Sequence, residues 1–147
     1  MNRIPNRLTI PSTTLKLSKV RHFIEGHARA CGFSSDVIDQ LSLAVDEACT
    51  NIIRHAYGGS KSGPVDITVD VDPERFTVTI RDEGKSINLS DYREPDLATS
   101  IEDRKGGGFG VHIMRKLMDL VEYEKHGEFN EVHLVKFRGQ NQASARN

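Results

Sequence analysis

An α/β domain is the fold class this sequence predicts, and three observations predict it. Between Leu41 and Tyr57, residues Leu41, Ala44, Val45, Ala48, Ile52 and Ala56 recur at helical spacing and form one apolar stripe. Val65–Val71 and Arg75–Arg81 each alternate apolar and polar residues, and Asp72-Pro73-Glu74 between them is short enough for an antiparallel hairpin. After the glycine-rich run Gly106–Gly110, apolar residues return at helical spacing and two further strand-like segments follow.

At 147 residues the chain reads as a single domain, 1–147, large enough to bury a core. Its 37% hydrophobic and 28% charged residues are those of an ordinary soluble globular protein. The formal net charge of -1 supplies no global field toward nucleic acid or a membrane surface. Cys31 and Cys49 lack paired metal spacing and fit a reducing compartment. No apolar run spans a bilayer and no secretory apolar segment is seen, so a cytoplasmic location is expected.

In chain order, Arg7–Pro11 is a short strand ended by proline, and Ser12, Thr13 and Thr14 are N-cap candidates. A helix over Leu15–Ala30 follows, with Leu17, Val20, Phe23, Ile24, His27 and Ala28 on one face and Gly32 as its C-terminal stop. Ser34 or Ser35 caps a second helix, Asp36 suits its dipole, and Gly58-Gly59 ends it. The hairpin comes next and delivers Asp82 to a strand end. Lys85–Lys105 has no clear period, and a connection this long is expected to be functional, a lid over about 85–108. Val111, Ile113, Met114, Leu117, Met118 and Val121 mark a third helix, Leu120–Lys125 and Glu131–Phe137 the last strands, and 138–147 a polar tail.

Three motifs carry chemistry. Glu47, Asn51 and His55 recur every fourth residue and stack along one flank of a helix. The amide oxygen of Asn51 is a hard, neutral acceptor suited to Mg2+, and Glu47 is placed to take a proton beside it. Asp82-x-Gly84 at a strand end offers a carboxylate to an exocyclic amine such as adenine's, with Gly84 admitting a flat ring. Gly106-x-Gly108-x-Gly110 opens a helix whose free N–H groups can bind phosphate oxygens, with Arg104 and Lys105 adding charge. It is neither a dinucleotide fingerprint nor a P-loop, since no βαβ unit surrounds it and Gly-Lys-Ser/Thr is missing. Singly, these are a solvated edge, an Asp-Gly turn and a glycine hinge; their order is what points to a nucleotide. The six histidines show no metal-ligand spacing, so no zinc site is expected. His22 and His27 read as structural or exposed, His112 as a surface residue, and Cys49 as packed.

With the motifs placed, the chain from Arg7 to Phe137 resembles the GHKL ATPase superfamily, and within it the single-domain bacterial anti-sigma-factor serine/threonine kinases of partner-switching systems. Glu-Ala-Cys-Thr-Asn-Ile-Ile-Arg-His-Ala-Tyr matches the N box, Asp-Glu-Gly-Lys-Ser the first glycine box, and Gly-Gly-Gly-Phe-Gly the second. The resemblance implies a Bergerat-type two-layer α/β sandwich, a mixed, mostly antiparallel sheet carrying helices on one face, with ATP between helices and lid. It implies Glu47 as the base that activates a serine hydroxyl and Asn51 as the Mg2+ ligand. Arg54 and His55 fall where related kinases contact nucleotide, and Asp82 with Gly84 where adenine is bound. Lys105, Gly106, Gly107, Gly108, Phe109 and Gly110 fall where the lid ends and phosphates sit. The implied partners are an anti-anti-sigma (STAS) protein and a sigma factor or other regulator, with the kinase as a homodimer and no nucleic acid or membrane contact.

Two residues depart from the family pattern. Ser86 stands where a second glycine is common, and Phe129-Asn130 where Gly-Thr often precedes the last strand. The second change affects one water-mediated adenine contact, for which Asn130 is a replacement. Two rival readings follow: a nucleotide-gated module that sequesters a partner without phosphorylating it, and a histidine kinase catalytic domain. The latter ranks third because a dimerisation and phospho-acceptor segment is not expected to fit within these 147 residues.

Overall fold

The computed structural model describes residues 6–58, 60, 61, 63–85 and 108–138. Strands β1 (Arg7–Pro11), β2 (Pro64–Val71), β3 (Arg75–Asp82), β4 (Leu120–His126) and β5 (Phe129–Phe137) form one sheet in the order β1-β2-β3-β5-β4. Every pairing among the described strands is antiparallel, so the parallel component of the expected mixed sheet is absent from them. Helices α1 (Leu17–Ala30), α2 (Ser35–Asn51) and α3 (Gly108–Leu117) cover one face, giving the two-layer α/β sandwich.

Local chemistry sets the helix ends. Thr13 accepts the Leu15 N–H and opens a 3-10 turn over Thr14–Lys16, so α1 proper begins at Leu17, two residues later than its periodicity suggests. At its far end Gly32 has φ +85, and the Gly32 and Phe33 N–H groups donate to Arg29 and Ala28 carbonyls, which closes a Schellman motif. Of the two serines offered as the next cap it is Ser34 that accepts the Val37 N–H, at 3.3 Å. The β2–β3 turn is held by Asp72, whose carboxylate accepts the Glu74 and Arg75 N–H groups at 2.7 and 2.8 Å.

The core lies between the layers. Val65, Ile67 and Val69 of β2 and Phe76, Val78 and Ile80 of β3 point at Leu41, Val45 and Ala48 of α2 and Val20 and Ile24 of α1. Phe33 meets Phe76 edge to face at 5.6 Å between ring centres. Each fully buried aliphatic side chain there is worth about 1.5–3 kcal/mol relative to exposure, so α2 is fixed by its apolar stripe, and its polar flank follows. β4 and β5 extend further into their turn than the alternation indicates, meeting at His126 and Phe129 around Gly127 at φ +63.

Candidate functional site

The α-helical spiral of α2 does not run on to Tyr57. It ends at Asn51 and continues as one π-helical segment, Ile52–Ala56, closed by the Tyr57 N–H donating to the Ile52 carbonyl at 3.0 Å. Such wide turns occur mostly as single bulges, often at functional sites. A four-residue step keeps its phase only on an α-helix, so the flank predicted to carry Glu47, Asn51 and His55 breaks after Asn51. Glu47 is half-buried and Asn51 buried, at 8% exposure, whereas Arg54 and His55 are exposed.

Among the described residues the side chain of Asn51 forms no hydrogen bond. Glu47 carries a carboxyl raised above its ordinary value, first by burial, then by repulsion from Asp46, with Arg54 opposing. Cys49 between them packs as expected: burial, then Asp46, pushes its thiol up to about 12.

The end of β3 docks on this helix terminus. Asp82 is 4% exposed, and its Oδ1 accepts the Gly84 N–H at 2.9 Å and the Asn130 amide at 3.0 Å. Asn130 also donates to the Gly84 carbonyl at 2.9 Å. Among the described residues both bonds to Asp82 fall on Oδ1. The Lys85 N–H donates to the Ala56 carbonyl at 2.7 Å. A Cβ on Gly84 would lie 2.5 Å from that same oxygen, so the glycine here is required by the backbone of the π segment.

Tyr57 closes the N-box stretch, and motif reading gave it no role of its own. Its hydroxyl donates to the Pro64 carbonyl at 2.6 Å and accepts the Glu83 N–H at 2.8 Å, tying the helix end to β2 and β3 together. Its ring also fills the space a side chain at Gly63 would need. The only sequence signal was an aromatic residue at the end of the helix, just before Gly58. Asn130, raised as a substitute for the usual Gly-Thr, sits on Asp82 and Gly84.

Lys105, Gly106, Gly107 and nearly all of the proposed lid lie outside the described residues. Gly108, Phe109 and Gly110 form the first turn of α3, whose Met114 is buried in the core. No helix of the described residues is long and apolar enough to cross a membrane.

A family model described as the histidine kinase-like ATPase domain matches residues 10–136. The chain is similar to the serine-protein kinase RsbW of Bacillus subtilis (strain 168), at 33% identity over 124 residues, covering 81% of this chain and 77% of that protein. In fold it is similar to the RsbU and RsbW domains of Rv1364c from Mycobacterium tuberculosis, with a TM-score of 0.63, 13% identity, and coverage of 89% of this chain and 31% of that one. The SiaB-SiaC complex from Pseudomonas aeruginosa contains a chain similar in fold at a TM-score of 0.57 and 14% identity, with 88% of each chain covered.

Proposed function

The chain belongs to the histidine kinase-like ATPase family and resembles its anti-sigma serine kinases, and from that premise we propose that it is a Mg2+- and ATP-dependent serine/threonine protein kinase acting on an anti-anti-sigma (STAS) partner. A sigma factor or another regulator is the competing partner, the working form is a cytoplasmic homodimer, and switching between the two partners is the output. The observation that carries this reading is the joint at the end of α2. Asn51, buried and with its side chain unbonded among the described residues, lies one turn from the half-buried Glu47, and the Asp82–Asn130–Gly84 cluster is tied through Gly84 and Lys85 to Ala56 of the π segment that follows.

The residues present fit Mg2+·ATP. Bound there, it supplies the transferable phosphoryl group, while the metal neutralises charge on the phosphates. Asn51 would hold the metal through its amide oxygen. Asp82 would accept the adenine amine on Oδ2, because Asn130 and the Gly84 N–H hold Oδ1 and fix the carboxylate plane. Gly108–Gly110 would direct the free N–H groups of α3 at phosphate oxygens, joined by Lys105, Gly106 and Gly107. Arg54 and His55, exposed beyond the π segment, would meet the nucleotide or the partner. Glu47 takes the proton of the incoming hydroxyl; its raised pKa makes it a better base than an ordinary surface carboxylate.

The test is incubation with Mg2+·ATP and STAS proteins encoded nearby, followed by mapping of phosphoserine or phosphothreonine. Transfer to one site on one partner is expected. Tight partner binding with no transfer would favour the non-catalytic sequestering module.

A further inference from the structure

The outer face of the sheet, away from the helices, carries a cluster that the nucleotide chemistry does not use. β4 contains Glu124-Lys125-His126 and β5 contains Glu131-Val132-His133, so Glu-x-His occurs on both strands. Side chains two apart on a strand share a face. Glu124 is the cross-strand partner of Glu131, which brings both Glu-x-His pairs together. Two carboxylates directly opposed are unfavourable unless something positive lies between them.

Arg81 provides only part of that charge. Its Nε and Nη2 both donate to Glu131 Oε2, at 2.8 and 2.6 Å. Oε1 is left facing the imidazoles, 3.4 Å from His126 Nε2 and 3.4 Å from His133 Nε2. His133 Nε2 lies 3.7 Å from Glu124 Oε2, and His126 Nε2 lies 2.6 Å from that same oxygen. His133 Nε2 is buried without a hydrogen bond, while its Nδ1 is 3.1 Å from the Thr79 hydroxyl. An imidazole anchored through one nitrogen, with the other aimed at carboxylate oxygens and bonded to none, has the arrangement of a metal ligand with its supporting hydrogen bond in place.

We propose that Glu124, His126, Glu131 and His133 form a zinc site on the outer face of the β4–β5 hairpin. Ligand atoms about 2.0–2.1 Å from a tetrahedral Zn2+ lie about 3.3 Å from one another. Three of the four His–Glu separations are already 3.4 to 3.7 Å; Glu124, His126 and Glu131 offer ligand atoms all within 4.8 Å of one another, and His133 joins them once the exposed His126 turns toward it. The fourth, His126 to Glu124, opens by less than an ångström, and both of those side chains are half-exposed and free to turn. Two imidazole nitrogens and two carboxylate oxygens suit zinc, whereas Mg2+ and Ca2+ take oxygen ligands. Four protein ligands close the coordination shell, so the metal braces the sheet edge and does no chemistry. The sequence reading expected no zinc because it looked for pairs along the chain, and these ligands meet only across a strand pair.

The experiment is calorimetric titration of tag-free, chelator-treated full chain with ZnCl2 and with MgCl2, backed by zinc-edge X-ray absorption. One Zn2+ per chain is expected, bound far more tightly than Mg2+, with four N/O neighbours at about 2.0 Å. His126→Gln changes an exposed residue and preserves the fold by circular dichroism; it should weaken zinc binding by well over about tenfold, and Thr79→Val by about 10- to 100-fold through the supporting bond. Asn51→Ala should leave zinc affinity unchanged, which separates this site from the nucleotide site. Zinc uptake no tighter than that of Mg2+, or uptake unaltered in both His126→Gln and His133→Asn, would overturn the assignment and leave the cluster a set of ion pairs.

Discussion

β3 and β5 lie side by side, and two consecutive cross-strand pairs on them do opposite things. Asp82 faces Asn130 beneath the helices, buried, and the residues just after it are tied to Ala56 and Tyr57 at the end of the π segment. One residue back, Arg81 faces Glu131 on the outer face, in an ion pair that leads to His126, His133 and Glu124. The strand period of two is the whole difference. It lets one ribbon hold a neutral amide on a carboxylate on one side and a charge cluster on the other. The two sides share backbone, so their independence is an expectation that substitutions can break.

The largest expected effect belongs to the inner side. Glu47→Gln keeps size and hydrogen-bonding capacity but removes the basic carboxylate, and phosphoryl transfer should fall roughly 10²–10⁴-fold. ATP affinity, partner binding and zinc affinity should hardly move. Single-turnover transfer beside nucleotide titration measures this; an unchanged rate would reduce Glu47 to a positioning role.

Next come the two neighbours on β3. Asp82→Asn replaces a charge-assisted acceptor by an amide and should weaken adenine nucleotide binding by about 1–3 kcal/mol. Arg81→Met should leave nucleotide affinity near the wild-type value while lowering that for zinc, because it unties Glu131. If Arg81→Met costs as much ATP affinity as Asp82→Asn, the two faces are one coupled unit. Equal binding of ATP and GTP by the wild type would remove adenine from Asp82.

How much of this was readable in the sequence follows from where each feature is encoded. The strands and the Gly32 stop are local signals with one cheap solution each, and the structure agrees with them; the serine cap was legible as a pair, from which the structure selects Ser34. The nucleotide candidates were legible because their motifs are contiguous: Glu47 with Asn51, and Asp82 with Gly84. The π segment was not, because the same apolar stripe serves α and π spirals until Tyr57, Gly84 and Lys85 pack on its end. Nor was the outer cluster, since register, and not spacing, sets Glu124 against Glu131.

Gly84 tests that packing. A Cβ there would stand 2.5 Å from the Ala56 carbonyl, which is backbone and cannot swing away. Gly84→Ala should therefore destabilise by about 1–3 kcal/mol, as overpacking does. It should also weaken nucleotide binding by shifting the loop that orients Asp82. Thermal denaturation and titration together check it; a wild-type Tm would mean that the end of β3 and the π segment separate easily, and that the inner face is less rigid than the outer.

The smallest effect, and the most specific, is a displacement of the pH profile. Burial first, then Asp46, raises the Glu47 carboxyl, and Arg54 pulls it back. A base works only when ionised, so the transfer rate should fall as pH drops through this raised pKa. Asp46→Asn removes the repulsion and should move that acid limb to lower pH; Arg54→Gln removes the attraction and should move it to higher pH. Both rates should converge well above the limb at saturating ATP. Stability carries the opposite sign. A raised native pKa means the folded protein holds the proton more tightly, so the contribution of Glu47 is complete below the unfolded pKa and is lost as pH rises through the folded one. Asp46→Asn shrinks that loss, and because its ion pair with Arg21 at 3.0 Å is partly exposed, breaking it costs only about 0.2–1 kcal/mol. A rate profile and a stability profile that shift together in these senses identify Glu47 as the titrating group; a limb that ignores both neighbours assigns it to a residue elsewhere.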